Sequence, residues 1–307
     1  MAALTAGEVL LAYLTEQVET IRSNESAVGS IDQVAIHKTR VATRRLRSVL
    51  STYRRLLHRE HTDPLRDELR WLAVALGAVR DSHVLREHLN SEASERLGLA
   101  GLPAEVERGL AERERSAVRV LHADLDSVRY AELRRRLDAL VEQPPLRRRA
   151  DRPAARVLPA LAGKAARGVD EAARLAEVEG LTARQRDDRL HDVRKAAKRA
   201  RYAAELALPV GGKGAGLLVE RMTQLQEVLG RHQDSVMSRA TLSELSRPAG
   251  AGPEGAFAAG VLSGHEQADD AVTEAAYRKA LLAASEGKAR RWTGVDAVRA
   301  VRDASGD

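Results

Sequence analysis

The 307-residue chain contains no cysteine. That absence excludes a disulfide framework, a thiolate nucleophile and a zinc–thiolate site, and it suits a reducing compartment. Aromatic residues make up only 3%, and phenylalanine occurs once, at Phe257, which leaves little of the material from which sheets are built. No uncharged apolar run approaches the roughly 20 residues that a membrane span requires. Glu8 and Glu16 fall where a secretory leader would want a basic start and a clean apolar stretch. The expectation is a cytoplasmic protein without membrane association. What is present is 44% hydrophobic, dominated by Ala, Leu and Val, enough to fill one large core or two smaller ones. Small aliphatic side chains favour closely packed helices, so the expected class is all-α.

Charge is abundant but nearly balanced: 50 basic residues face 44 acidic ones, for a net of +6. A charged content of 31% is ordinarily a solvated helix surface, so the placement of charge matters more than its sum.

Helical periodicity is nearly continuous, with clear punctuation. It predicts helices at about 3–24, 31–59, 64–97, 103–127 and 128–142, with Ser30, Asp63 before Pro64, and Pro103 as starts. Gln143-Pro144-Pro145-Leu146-Arg147-Arg148-Arg149 follows; two prolines stop a helix and three arginines resist burial, so 143–152 reads as a linker. A second set is expected at about 153–178, 183–208, 214–246 and 254–286, with a short terminal helix at 290–302. Pro209-Val210-Gly211-Gly212 and Pro248-Ala249-Gly250-Ala251-Gly252-Pro253 separate its members. The chain thus divides into an N-terminal half, 1–142, and a C-terminal half, 153–307.

The two halves share motifs. His37-Lys38-Thr39-Arg40-Val41-Ala42-Thr43-Arg44-Arg45-Leu46-Arg47 aligns with His191-Asp192-Val193-Arg194-Lys195-Ala196-Ala197-Lys198-Arg199-Ala200-Arg201 at an offset of 154. Leu76-Gly77, Asp81 and Ser82 align with Leu229-Gly230, Asp234 and Ser235 at an offset of 153. Order and spacing survive with one residue of slippage, which points to a pair of related helical bundles.

At 100° per residue, Arg40, Arg44, Arg47, Ser48, Ser51 and Arg55 fall in one stripe beside His37, opposite Leu46, Val49, Leu50, Tyr53 and Leu57. No acid occurs between Asp32 and Glu60, so nothing within the helix neutralises the stripe. Like charges at that spacing cost a few tenths of a kcal/mol each. The second helix repeats the design with His191, Arg194, Lys198 and Arg201, flanked by Lys195 and Arg199, and has no acid between Asp192 and Glu205. Interhelical pairing with Glu8, Glu16, Glu19, Glu171 or Glu177 would satisfy such stripes, but gives no reason for a histidine to lead both. A polyanion gives one: phosphate oxygens accept charge-assisted bonds worth ~1.5–3 kcal/mol from Arg forks, and a nearby phosphate favours the protonated imidazole.

The duplicated His-x-x-Arg-x-x-x-Arg/Lys-Arg-x-Arg pattern with its downstream Leu-Gly-x-x-x-Asp-Ser resembles the CHAD family, the conserved-histidine α-helical domain, over about residues 5–285. The resemblance implies two pseudo-symmetric four-helix bundles with a basic groove or channel between them, together forming one unit. It also implies binding of inorganic polyphosphate and association with polyphosphate granules. Carried onto this sequence, the implied ligand set is His37, Lys38, Arg40, Arg44, Arg45 and Arg47 in the first half. The second half supplies His191, Arg194, Lys195, Lys198, Arg199 and Arg201. Family members can be fused to a CYTH-type triphosphatase domain, whose Glu-x-Glu-x-Lys signature is missing here: Glu105-Val106-Glu107 is followed by Arg108-Gly109.

Gly77 and Gly230, each costing about 1 kcal/mol inside a helix, are expected to admit a neighbouring backbone, with Asp81 and Asp234 reaching an arginine of the stripes. Arg80, Arg231 and His232 are candidate supporting residues. Enzymatic phosphoryl transfer is not expected, because magnesium sites need converging carboxylates and the motif helices offer cations. Asp188 with Asp192, and Glu266, Asp270 and Glu274, read as solvated acidic faces. His58, His61, His83 and His88 read as surface residues, and the motif histidines lack ligand partners at helical spacing, so neither a metal nor a cofactor is expected. Gly211-Gly212-Lys213-Gly214-Ala215-Gly216 lacks the phosphate-loop spacing and reads as a flexible loop. Nucleic acid is the rival ligand, although no stacking aromatic lies on a stripe apart from Tyr202. Docking of an acidic protein surface is the third class.

Overall fold

The computed structural model describes residues 4–98, 101–246, 252–268 and 270–294, and it is helical throughout these segments apart from turns and two isolated bridges. Helix α1 (Ala6–Ser23) opens on a capping box in which Thr5 accepts from the Glu8 N–H and the Glu8 carboxylate accepts from the Thr5 N–H. A short α2 (Glu25–Gly29), absent from the periodicity, precedes α3 (Gln33–Thr52), whose start is fixed by Asp32 accepting from the Ala35 N–H at 2.6 Å. The helix ends before its expected limit of 59. Residues Arg54–Leu56 form a 3-10 turn, so Arg55 leaves the stripe on which helical spacing placed it.

Helix α4 (Arg59–Leu97) begins upstream of the expected Asp63, with Pro64 inside it; so near the helix start, the ring interrupts only the second turn. Helices α5 (Ala104–Leu125) and α6 (Val128–Glu142) complete the first set. The second set comprises α7 (Ala154–Ala176), α8 (Ala183–Leu206), α9 (Leu208–Leu245), α10 (Pro253–Ala268), α11 (Asp270–Ser285) and α12 (Gly287–Arg290), followed by a 3-10 turn at Arg291–Thr293. The helix expected at 254–286 is seen on both sides of residue 269, which lies outside the described residues, as do 295–302 of the expected terminal helix.

The glycine-rich segment expected to be a loop is a kink. Helix α9 continues through it, with Gly212 alone non-helical at φ 50° and ψ −134°. A Cβ on Gly211 or Gly214 would stand 2.7 or 2.8 Å from the Trp292 ring, so these glycines form a seat for that side chain rather than a hinge.

One core joins Leu10, Leu14, Leu46, Leu50, Leu69 and Leu133 to Leu158 of α7 and to Tyr202 and Leu206 of α8. A second gathers Val193, Ala197 and Ala200 of α8 with Leu218, Met222 and Leu225 of α9 and Tyr277 of α11. Helix α8 therefore contributes to both. A third, smaller cluster holds Leu89 and Leu110 against Leu242 and Leu262. The segment read as a linker is tied down: Pro145 accepts from the His58 N–H at 2.8 Å, and the Arg147 N–H donates to Leu56 at 2.9 Å. Arg147, Arg148 and Arg149 remain exposed. No helix among the described residues is long and apolar enough to cross a membrane.

Candidate anion-binding site

The two motif helices pack directly on each other. Their apolar sides dictate this: α3 buries Ile36, Ala42, Leu46, Val49 and Leu50 in the same core as Tyr202, Ala203, Leu206 and Ala207 at the end of α8. The Tyr53 hydroxyl donates to the Ala203 carbonyl at 2.8 Å, and Arg44 Nε donates to the Tyr202 hydroxyl at 2.9 Å. The cation rows of α3 and α8 are thereby brought beside one another.

Arg40, Arg44, Arg194 and Lys198 form one electrostatic group. Burial pushes Lys198 down to about 7, and Arg194, Arg44 and Arg40 push it the same way. Arg40 and Arg194 are lowered first by burial and also by Arg44, against the pull of Asp81 and Asp234. His37 is lowered by burial and then by Arg80, Arg44 and Arg40. Two carboxylates stand in this field, Asp81 from α4 and Asp234 from α9. Asp81 accepts from Arg40 at 3.1 Å. Asp234 is raised by burial, which outweighs Arg194. Among the described residues no carboxylate forms an ion pair with Arg44, Arg194 or Lys198, and Arg194 Nε is buried without a hydrogen-bond partner. Four cations thus face two acids in a partly desolvated setting where charge is poorly screened.

The repeated spacing of glycine and motif arginine has a different physical cause from the one expected. What approaches Gly77 is the Arg40 guanidinium, 3.4 Å from where a Cβ would sit, and what approaches Gly230 is that of Arg194, at 3.3 Å. No neighbouring backbone is involved. Each glycine is a shelf on which an arginine lies flat. The double variant Gly77→Ala/Gly230→Ala should therefore gain up to about 1–2 kcal/mol of helix propensity, yet bind anions more weakly by a few-fold as the Arg194 guanidinium, 3.3 Å from the new Cβ, is pushed aside. Urea melts and anion titration check this, and unchanged affinity would dismiss the shelf.

The remaining motif residues do not all join the group. Arg45 and Arg201 turn toward Glu205, which forms an ion pair with Arg45 at 3.1 Å and accepts from Arg201 at 2.8 Å and from the Tyr13 hydroxyl at 3.2 Å. They also flank the Tyr202 ring, at 5.9 and 5.8 Å from its centroid. Tyr202 is buried, 1% exposed, so its ring is closed to a stacking base. Arg47 is lowered by burial and then by Arg70 and Arg66 of α4, which puts it in a separate group of cations. Lys195 pairs with Asp192 at 2.6 Å. Lys38, Arg199 and Arg231 are exposed. The His191 ring bonds Gln233 at 2.7 Å, and Arg80 donates to Gln33 at 3.4 Å. His232 turns away from the group to Asp187, at 2.9 Å. His83 is not a bare surface residue, being held between Glu114 and Glu87, and His88 pairs with Glu266.

The acids that meet the stripes are therefore Glu205, Asp81 and Asp192. Of the acids weighed on sequence grounds, Glu19 goes to Arg22 instead. Glu205 was missed as a binding partner because it matters across the α3–α8 seam; its spacing of four from Arg201 was the signal within reach. Among the described residues no group of three or more His, Asp or Glu is arranged to hold a metal ion.

The chain matches the family model of the CHAD domain over residues 12–243. Two uncharacterized proteins of Mycobacterium tuberculosis, MT2285 from strain CDC 1551 and Rv2226 from strain H37Rv, are each 33% identical over 260 residues, covering 81% of this chain. The chain spans 48% of the length of these relatives. Among solved structures, PptA from Streptomyces chartreusis superposes with a TM-score of 0.75 at 22% identity, covering 90% of this chain and 99% of that one. The CHAD domain from the plant Ricinus communis gives a TM-score of 0.69 at 28% identity, covering 91% and 92%. A family match across most of the sequence, and a shared all-helical architecture, establish that the chain belongs to the CHAD family.

Proposed function

We propose that this protein binds inorganic polyphosphate without catalysis, with the seam between α3 and α8 as the central contact, and that it thereby associates with polyphosphate granules. The observation that carries the reading is the group Arg40, Arg44, Arg194 and Lys198, in which three of the four cations lack a carboxylate partner among the described residues. A linear phosphate chain offers repeated oxygen acceptors at close spacing, which suits several guanidinium forks at once. Burial of Tyr202 removes the base-stacking platform that single-strand binders use, favouring a ligand without bases over nucleic acid.

Titration with long-chain polyphosphate, competed by DNA, RNA and heparin at two salt concentrations, tests the reading. Steep salt dependence and a preference for polyphosphate are expected. Affinity should also fall as pH rises through 7, because Lys198, lowered to about 7 in the free protein, is recharged on binding and must take up a proton above that pH. Equal competition by nucleic acid transfers the site to the rival ligand.

A further inference from the structure

We infer that a second anion-binding surface lies at the junction of the α3 end with the connecting segment, and that it engages a more distant stretch of the same phosphate chain held at the α3–α8 seam. The inference rests on the proposed function. Backbone pairing builds the surface: Leu57 bridges to Leu146, the Arg147 N–H donates to Leu56 at 2.9 Å, and Pro145 accepts from the His58 N–H at 2.8 Å. These bonds set Arg54 and Arg55, on the 3-10 turn, beside Arg147, Arg148 and Arg149. All five are exposed. None forms an ion pair with a carboxylate among the described residues; Glu60 pairs with His58 and Asp63 with Arg59 and Arg66, and Asp151, exposed on the same turn, leaves the five arginines in clear excess. Five like charges held on a pinned scaffold repel one another and gain from a shared counterion.

Between the two surfaces along the chain stands a further cation. Arg47, one turn beyond Arg44, lies in the field of Arg66 and Arg70. At 1.5 Å per residue, the helix from Arg44 to its end at Thr52 alone rises roughly 12 Å, and the 3-10 turn lies beyond it. A short oligophosphate held at the seam does not reach the turn, whereas a long one does, and the second contact then acts at high effective concentration. The junction thus makes the protein discriminate by chain length.

The test uses the full chain carrying Arg147→Gln, Arg148→Gln and Arg149→Gln, exposed positions outside the seam, with tripolyphosphate, long-chain polyphosphate and duplex DNA as probes. Loss of about tenfold in long-chain affinity and a shallower salt dependence are expected, with tripolyphosphate affinity unchanged. Unchanged long-chain affinity overturns the second contact while leaving the seam in place. An equal loss with tripolyphosphate overturns it as a bulk-charge effect, and loss confined to DNA reassigns the surface to nucleic acid. If the unaltered protein binds neither phosphate probe, the reading of the seam itself fails.

Discussion

Changing Arg44 and Lys198 together to glutamate should lower affinity for long-chain polyphosphate by more than about 100-fold with the helical fold retained. Each side chain is expected to supply a charge-assisted contact of ~1.5–3 kcal/mol, so the pair accounts for roughly 3–6 kcal/mol before any repulsion is counted. Repulsion adds to the loss, because Asp81 and Asp234 already stand in this field, and two new carboxylates would make it acidic. Lys198 carries its charge against burial and three arginines, so its replacement should relieve strain in the free protein. Arg44 gives up one hydrogen bond, to Tyr202. Titration alongside thermal melts separates the two effects. An affinity within a few-fold of the unaltered protein would remove the seam from consideration.

Glu205→Gln should be the most damaging single change at the seam, destabilising the fold by about 3–5 kcal/mol. Its carboxylate, 11% exposed, is shared by Arg45, Arg201 and the Tyr13 hydroxyl. Burial alone would lower Arg45, yet Glu205 reverses the balance and leaves it raised. The amide keeps the shape but removes the charge, stranding two guanidinium groups on either side of one buried ring. Urea unfolding measures the loss. A midpoint matching that of the unaltered protein would mean that solvent, rather than Glu205, compensates both arginines.

Much of this architecture was legible in the linear chain. The acid-free stripes, the shared offset of the motifs and the Leu-Gly-x-x-x-Asp spacing located α3, α8 and the residues that meet between them, and Asp81 does reach Arg40. Periodicity placed α6 at its observed limits. It failed where a distant side chain decides local structure: the run from Gly211 to Gly216 reads as a loop until Trp292 is seen resting against it. It also treated each stripe as a unit. Helical spacing cannot tell that Arg45 and Arg201 turn to a shared carboxylate while Arg40 and Arg194 lie on glycines, because that division arises only when two helices meet.

The seating of the arginines bears on the thermodynamics of capture. Arg40 rests on Gly77 and is held by Asp81, Arg194 rests on Gly230, and Arg44 is fastened to Tyr202. A long side chain that is frozen only on meeting its ligand forfeits up to ~2 kcal/mol of rotamer freedom. Here that freedom is surrendered as the chain folds, so little disorder remains to oppose the arrival of an anion.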